Sequence, residues 1–169
     1  ETVFVLPNNG NIIMAAQQCA ALTEKQVVVI PTKTVPQGIT AMMNVDFDAP
    51  DAQTITDAMT GSLSSVTTAQ ITYAARDSDF DGFAIKEGDY LALEGKLFDT
   101  DDSLDTLLHK LAEDAAGREA SFISLYFGED VQEADAQKAG ALFEEVCPGA
   151  EVAVLSGGQP VYYYIISME

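Results

Sequence analysis

The chain has 169 residues, 47% hydrophobic and 21% charged, a balance that suits one globular domain, or one domain with a small lobe, and argues against disorder over most of its length. Lys and Arg number 8 against 27 Asp and Glu, and the resulting charge of −19 repels nucleic-acid phosphate and anionic lipid while favouring a partner with a basic docking rim. No apolar run approaches the ~20 residues of a membrane span, no secretory leader is visible, and the 2 cysteines make no disulfide framework, so a soluble protein of a reducing cytoplasm is expected.

The first residue is Glu1, and residues 2–6 already read as a short strand buried on both faces, an abrupt start that points to upstream sequence having been removed. Asn8-Asn9-Gly10-Asn11 breaks the strand. Residues 12–23 carry a helical pattern rich in Ala, Met and Gln, and residues 27–30 form a second buried strand, so the run reads as a βαβ unit with parallel strands. A loop over residues 31–38 and a short helix over 39–45 follow. After a turn at 46–50, residues 51–66 place Ile55, Ala58, Met59, Ser62, Leu63 and Val66 on one helical face.

Residues 69–75 alternate as a strand, and residues 77–100 turn to β-hairpins punctuated by Gly88 and Gly95. Ser103 is a credible N-cap for a helix whose buried stripe is Leu104, Leu107, Leu108 and Leu111, with Gly117 at its end. A strand over 121–127, a helix over 131–146, a strand over 151–155 and a final strand over 161–167 complete the chain. The expected fold is α/β: one domain, 1–169, with a mixed, partly parallel sheet flanked by helices, a β-hairpin insertion and no dividing linker.

No complete catalytic apparatus can be assembled. Cys19 lies in an Ala-rich helical pattern and reads as a small core residue; Cys147 precedes Pro148 at a helix end; the single histidine, His109, gives neither a base and has no clustered metal ligands. Asp77-Ser78-Asp79-Phe80-Asp81-Gly82 matches the first half of a calcium loop, but the twelfth position is Gly88 and Glu87 falls one short, so an acidic turn leading into a hairpin is the better reading. Phosphate loop, dinucleotide fingerprint and serine nucleophile elbow are all missing.

Three polar loops remain: Asn8-Asn9-Gly10-Asn11, Thr32-Lys33-Thr34-Val35-Pro36-Gln37-Gly38 and Gly157-Gly158-Gln159-Pro160. The first two follow successive parallel strands and should emerge together at the carboxyl edge of the sheet, where open α/β sheets place ligand or partner sites. The third joins that edge only if the last strand runs antiparallel to the first two. The candidate partner- or ligand-binding residues are Asn8, Asn9, Asn11, Thr32, Lys33, Gln37, Gly158 and Gln159. Turn and cap formation is the alternative role for each.

These loops, with Thr2-Val3-Phe4-Val5-Leu6-Pro7, Val28-Val29-Ile30-Pro31, Tyr162 to Ser167, Arg76-Asp77 and Gly128-Glu129-Asp130, make the whole chain similar to the C-terminal domain of the dihydroxyacetone-kinase-like family. Long-chain members of that family are the ATP-binding subunits of bacterial fatty acid kinase. The resemblance implies a DegV-like fold and a division of labour. An upstream helical domain would bind ATP and magnesium, and a separate DegV-like, fatty-acid-carrying protein would present its carboxylate for phosphorylation. This domain would help dock that carrier. The same resemblance implies no cofactor in this segment, no catalytic residue carried over (His109 sits in no matching motif), no nucleic acid, no membrane insertion, a role in phospholipid metabolism, and room for a homodimer through the longer protein. A small-molecule or anion-binding module using the three loops is the alternative.

Overall fold

The computed structural model describes residues 2–80 and 82–169. They pack as two compact units, one ending at Val66 and the other beginning at Thr67, so the chain read as one domain has two separate cores. No Gly- or Pro-rich linker announces the division, because the break falls where a 3-10 turn, Leu63–Ser65, runs directly into a strand.

The first unit holds two strands, β1 (Thr2–Val5) and β2 (Gln26–Val29), paired in parallel with Thr2 opposite Gln26 and Val5 opposite Val29. They form a sheet of their own. Each strand therefore keeps an unpaired edge, and the residues expected to be buried on both faces are half-buried instead. The crossover consists of helix α1 (Ile13–Cys19) between two 3-10 turns. None of its residues is fully buried, and Cys19 is exposed rather than packed in a core. Helices α2 (Val35–Met43) and α3 (Ala52–Ser62) supply the core, in which Ile30, Ala41 and Met59 are enclosed by Phe4, Leu6, Val28, Val45, Ile55 and Leu63. Asp51 caps α3 by accepting the Thr54 N–H at 2.8 Å.

Helix α2 starts well before the expected position. Thr34 adopts an extended conformation and its hydroxyl accepts the Gln37 N–H, which makes it the N-cap. Pro36 then sits in the first helical turn, where a missing N–H costs nothing. Thus Pro36, Gln37 and Gly38, which look like loop vocabulary, are helical.

The second unit is built on a six-stranded sheet of order β7-β6-β3-β10-β8-β9. Its strands are β3 (Thr67–Tyr73), β6 (Tyr90–Glu94), β7 (Lys96–Asp101), β8 (Phe122–Phe127), β9 (Glu151–Ser156) and β10 (Tyr164–Met168). All neighbours are antiparallel except β8 and β9, which are joined through helix α5 (Glu133–Val146). The sheet is thus mixed and partly parallel, as expected, and β4 (Ser78–Phe80) with β5 (Phe83–Ile85) forms the hairpin insertion. Helix α4 (Leu104–Gly117) begins at Ser103, whose hydroxyl accepts the Thr106 N–H at 3.2 Å.

Helices α4 and α5 cover one face of this sheet. Leu107, Leu111, Ala112 and Phe143 interlock there with Ala69, Ile71, Leu125, Tyr164 and Ile166, all fully or almost fully buried. The last strand occupies the middle of the sheet, between β3 and β8, so the unit closes only when the C-terminal residues are in place. Cys147 is buried at the end of α5, its thiol directed to the Ala112 carbonyl at 3.3 Å, and burial pushes its pKa up. It is a packing residue.

Burial, with Asp135 and Asp105 adding to it, pushes the Tyr164 phenol from 10.0 up to about 12. A folded-state value above the unfolded one means that the folded chain holds a proton the unfolded chain has lost. Stability from this group is therefore complete below about pH 10 and is lost as the pH rises toward 12, by an amount on the order of 2 kcal/mol. Burial shifts Tyr163 and Cys147 in the same sense. Urea midpoints taken across this range should fall, and Tyr164→Phe should flatten the decline; an unchanged slope in that variant would contradict the assignment.

Candidate functional site

Two of the three polar loops meet in the first unit. The pairing of β1 with β2 is prolonged beyond the strands, first by the Ile30 N–H donating to Val5 O at 2.9 Å, then by the Asn8 N–H donating to the fully buried Thr32 hydroxyl at 2.9 Å. Both loops therefore leave the same carboxyl edge. The stem of Lys33 lies against Gly10, and the side chain of Asn8 packs directly on Gly38, in the space a Cβ there would need. Asn8 reaches this position with φ of 55°, a left-handed conformation that asparagine tolerates better than most residues.

The roles of the individual residues divide clearly. Asn9 caps the 3-10 turn by accepting the Asn11 N–H at 2.9 Å. Gln37 is consumed internally: its Oε1 accepts the Lys33 N–H at 2.8 Å and its Nε2 donates to Leu63 O at 3.3 Å. With Thr34 capping α2 and Gln37 holding Lys33, the first turn of that helix has its polar partners already. Lys33 is exposed. Asn8 differs from the others: its Oδ1 is buried and has no hydrogen-bond partner among the described residues. An orphaned buried acceptor costs roughly 1–3 kcal/mol, a cost that an incoming N–H donor would remove.

Asn8 also lines an open cleft of about 470 Å³, whose other walls are Leu6, Val35, Gly38, Ile39, Met42 and Met43. Sequence reasoning misses this cleft, since residues 31–38 read as a loop and their side chains are never set on a helix. On α2, Val35, Ile39, Met42 and Met43 follow helical spacing and are 49%, 38%, 54% and 80% exposed. The buried face of the same helix is carried by Pro36, Gly38, Thr40 and Ala41. The large side chains thus point outward and the small ones inward, the reverse of an ordinary surface helix. Methionine suits a surface that must adapt to a partner.

The third loop belongs to the second unit. It leads into β10 of the six-stranded sheet, whereas β1 and β2 form a different sheet, so the expected single edge shared by three loops is not formed. Gln159 spends its Nε2 on Tyr126 O at 2.9 Å and Tyr162 O at 3.3 Å. Gly158 has φ of 62°, and its N–H and that of Gly157 donate to Phe127 O. These residues build the loop. Gln159→Ala should accordingly lower stability by about 1–2 kcal/mol, read from urea unfolding, because two carbonyls lose their donor. A stability change under a few tenths of a kcal/mol would return Gln159 to the candidate contact residues.

Elsewhere, His109 is exposed and lies 3.5 Å from Glu113 one turn along α4. Asp77 accepts the Glu87 N–H at 2.7 Å. Asp81, part of the calcium-like run, lies outside the described residues. Among the described residues no group of three or more His, Cys, Asp or Glu is arranged to hold a metal ion, and no helix is long and apolar enough to cross a membrane.

The two-strand parallel unit followed by a mixed sheet with its last strand at the centre defines a DegV-type fold. The chain superposes on a DegV family protein from Corynebacterium glutamicum with a TM-score of 0.66 at 16% identity, covering 99% of this chain and 74% of that one. It is also similar to the Streptococcus pneumoniae fatty acid kinase B3 protein loaded with linoleic acid, with a TM-score of 0.63, 11% identity, and 98% and 70% of the two chains covered. The dihydroxyacetone kinase from C. freundii in complex with AMP-PNP and Mg2+ gives 0.64 at 8% identity, over 98% of this chain and 38% of that one.

The FakA-like C-terminal family of fatty acid kinase matches residues 1–169, and the chain belongs to that family. Protein YloV of Bacillus subtilis is 36% identical over 170 residues, 100% of this chain and 31% of the relative. An uncharacterized protein of Staphylococcus aureus (strain USA300) is 35% identical over 167 residues, 98% of this chain and 30% of that one. The chain spans about a third of the length of the curated relatives it matches.

Proposed function

We propose that the chain is the docking domain of a fatty acid kinase component. It contributes no phosphotransfer chemistry. It seats a fatty-acid-carrying protein of DegV fold so that a kinase domain elsewhere in the longer protein, holding ATP and magnesium, phosphorylates the fatty acid carboxylate to an acyl phosphate. The family membership supports the setting. The observation that carries the docking role is the α2 surface: an uncovered apolar face beside the exposed Lys33, with the unpartnered Asn8 oxygen in its cleft.

The division of labour on that surface follows from the chemistry. The apolar side chains of α2 would be desolvated by the partner and supply affinity. The Asn8 oxygen would gain a donor. Lys33 would meet a carboxylate or phosphate and steer the encounter, which affects association more than stability. The anion-binding alternative draws no support from these loops, since Gln37 and Thr34 are already committed to one another and to the backbone.

The test is acyl-phosphate formation by the full-length protein with ATP and a fatty-acid-loaded DegV-family protein. Lys33→Glu should lower the rate several-fold when the carrier is limiting, and the effect should shrink when the carrier is saturating or the salt is raised. The melting temperature should stay within about 1 °C, since an exposed charge contributes little to stability. Equal rates for the variant and the parent at limiting carrier would remove Lys33 from the docking surface.

A further inference from the structure

The second unit carries a cavity that the docking role leaves unused. It measures about 650 Å³, within the range of small-ligand sites, and opens between α4 and α5 on the helix-covered side of the sheet. Its walls include Tyr90, Tyr163 and Tyr164, and its lining includes Asp105, Asp130 and Asp135. The rings of Tyr90 and Tyr163 meet edge to face, with centroids 5.3 Å apart.

Carboxylates on an acidic protein would mean little by themselves. The decisive group is Tyr164, which lines the cavity and is only 1% exposed. Buried tyrosine hydroxyls ordinarily find a hydrogen-bond partner. Here, among the described residues, the Tyr164 hydroxyl has none: the buried groups around it are Leu107, Leu108, Leu111, Ala139 and Phe143. It remains an unpaired phenol within the influence of Asp105 and Asp135.

The fixed charges in and around the cavity are unequal. Lys138 is tied to Asp135 at 2.7 Å and His109 faces Glu113, which leaves Asp105 and Asp130 without an ion pair of their own among the described residues. Tyrosine rings attract cations, carboxylates accept their N–H groups, and a phenol oxygen accepts one more. An anionic or a purely apolar guest would leave this set unsatisfied.

We propose that this cavity is a binding site for an organic cation, a guanidinium or ammonium group on a short apolar stem, with the Tyr164 hydroxyl at its floor and Asp105 and Asp130 at its rim. The cation belongs to either a free amine or the arginine side chain of a protein, and the chemistry of recognition is the same for both.

The experiment titrates the 169-residue chain with two probes, agmatine as a free cation and N-acetyl-arginine amide as a peptide-like one, at fixed ionic strength and with a citrulline analogue as the neutral control. The readout is the NMR spectrum of the tyrosine rings and of the amides of α4 and α5. The expected result is saturable binding of at least one cation, with shifts confined to the cavity lining and no response to the control. Tighter binding of the acetylated amide would mark a side-chain guest, and tighter binding of agmatine a free amine.

Tyr164→Phe removes one oxygen that has no partner among the described residues and so keeps the fold; it should weaken binding about tenfold, as should Asp105→Asn combined with Asp130→Asn. The proposal is overturned if the shifts spread over the acidic surface without saturating, if neither cation binds at tens of millimolar, or if Tyr164→Phe binds as well as the parent.

Discussion

Replacing Gly128 by alanine should destabilise the protein by about 3 kcal/mol or more, one of the largest effects open to a single methyl group. A Cβ at Gly128 would be driven into the main-chain carbonyl oxygens of Tyr162 and Gln159. Main chain cannot step aside as a side chain does. The loop in question is also fastened at several points: the Gly128 N–H donates to Tyr163 O at 2.9 Å, the Glu129 N–H to Gln159 O at 3.1 Å, and the Thr72 hydroxyl to Val161 O at 3.0 Å. Val161 is held with φ of 72°, an unfavourable conformation for a β-branched residue, so the loop already stores strain and has little room to yield. Urea unfolding should show the loss as a lower midpoint at constant slope. A change below about 1 kcal/mol would mean that the loop is looser than these bonds imply.

Phe143→Ala should cost about 4 kcal/mol. Phe143 is completely buried on α5 and belongs to the same cluster as Leu111, Ala112, Leu125 and Ile166. Strands and helices share the cavity its loss would leave, and none can move in without breaking a ladder or a helix packing contact. The loss should appear as a midpoint shift similar to that of Leu107→Ala. A cost under about 2 kcal/mol would show that the site collapses around the missing ring.

The second unit is the more legible of the two. Ser103 followed by Leu104, Leu107, Leu108 and Leu111 has the period of a capped amphipathic helix and forms one. Gly88 and Gly95, with φ of 91° and 70°, sit at the hairpin turns their placement implies. The pairing order is not legible. Nothing in residues 164–168 marks the last strand as the centre of a sheet, since an apolar run reads the same beside any neighbour.

The first unit is harder to read, and for identifiable reasons. A continuous apolar run suggests burial on both faces, yet a two-stranded sheet leaves each strand half-covered. Cys19 looks like core because small residues surround it, but α1 encloses nothing. Pro36 and Gly38 conceal the start of α2, and with it the outward-facing row of Val35, Ile39, Met42 and Met43. The convergence of the Asn8 and Lys33 loops follows from parallel strands and is foreseeable. The internal hydrogen bonds of the Gln37 and Gln159 amides are not, because side-chain to main-chain bonds leave no periodic trace in a sequence.

The central claim is that α2 and its flanking loops dock a fatty-acid-carrying protein. The most direct measurement is the calorimetric affinity of the full-length protein for a fatty-acid-loaded DegV-family protein of the same organism, comparing the parent with Met42→Asp. Met42 is 54% exposed and outside the buried core, so the substitution should leave the melting temperature nearly unchanged. If the α2 face is the docking surface, burying a carboxylate there should weaken binding at least tenfold. Parent-like affinity in a folded Met42→Asp variant would contradict the account.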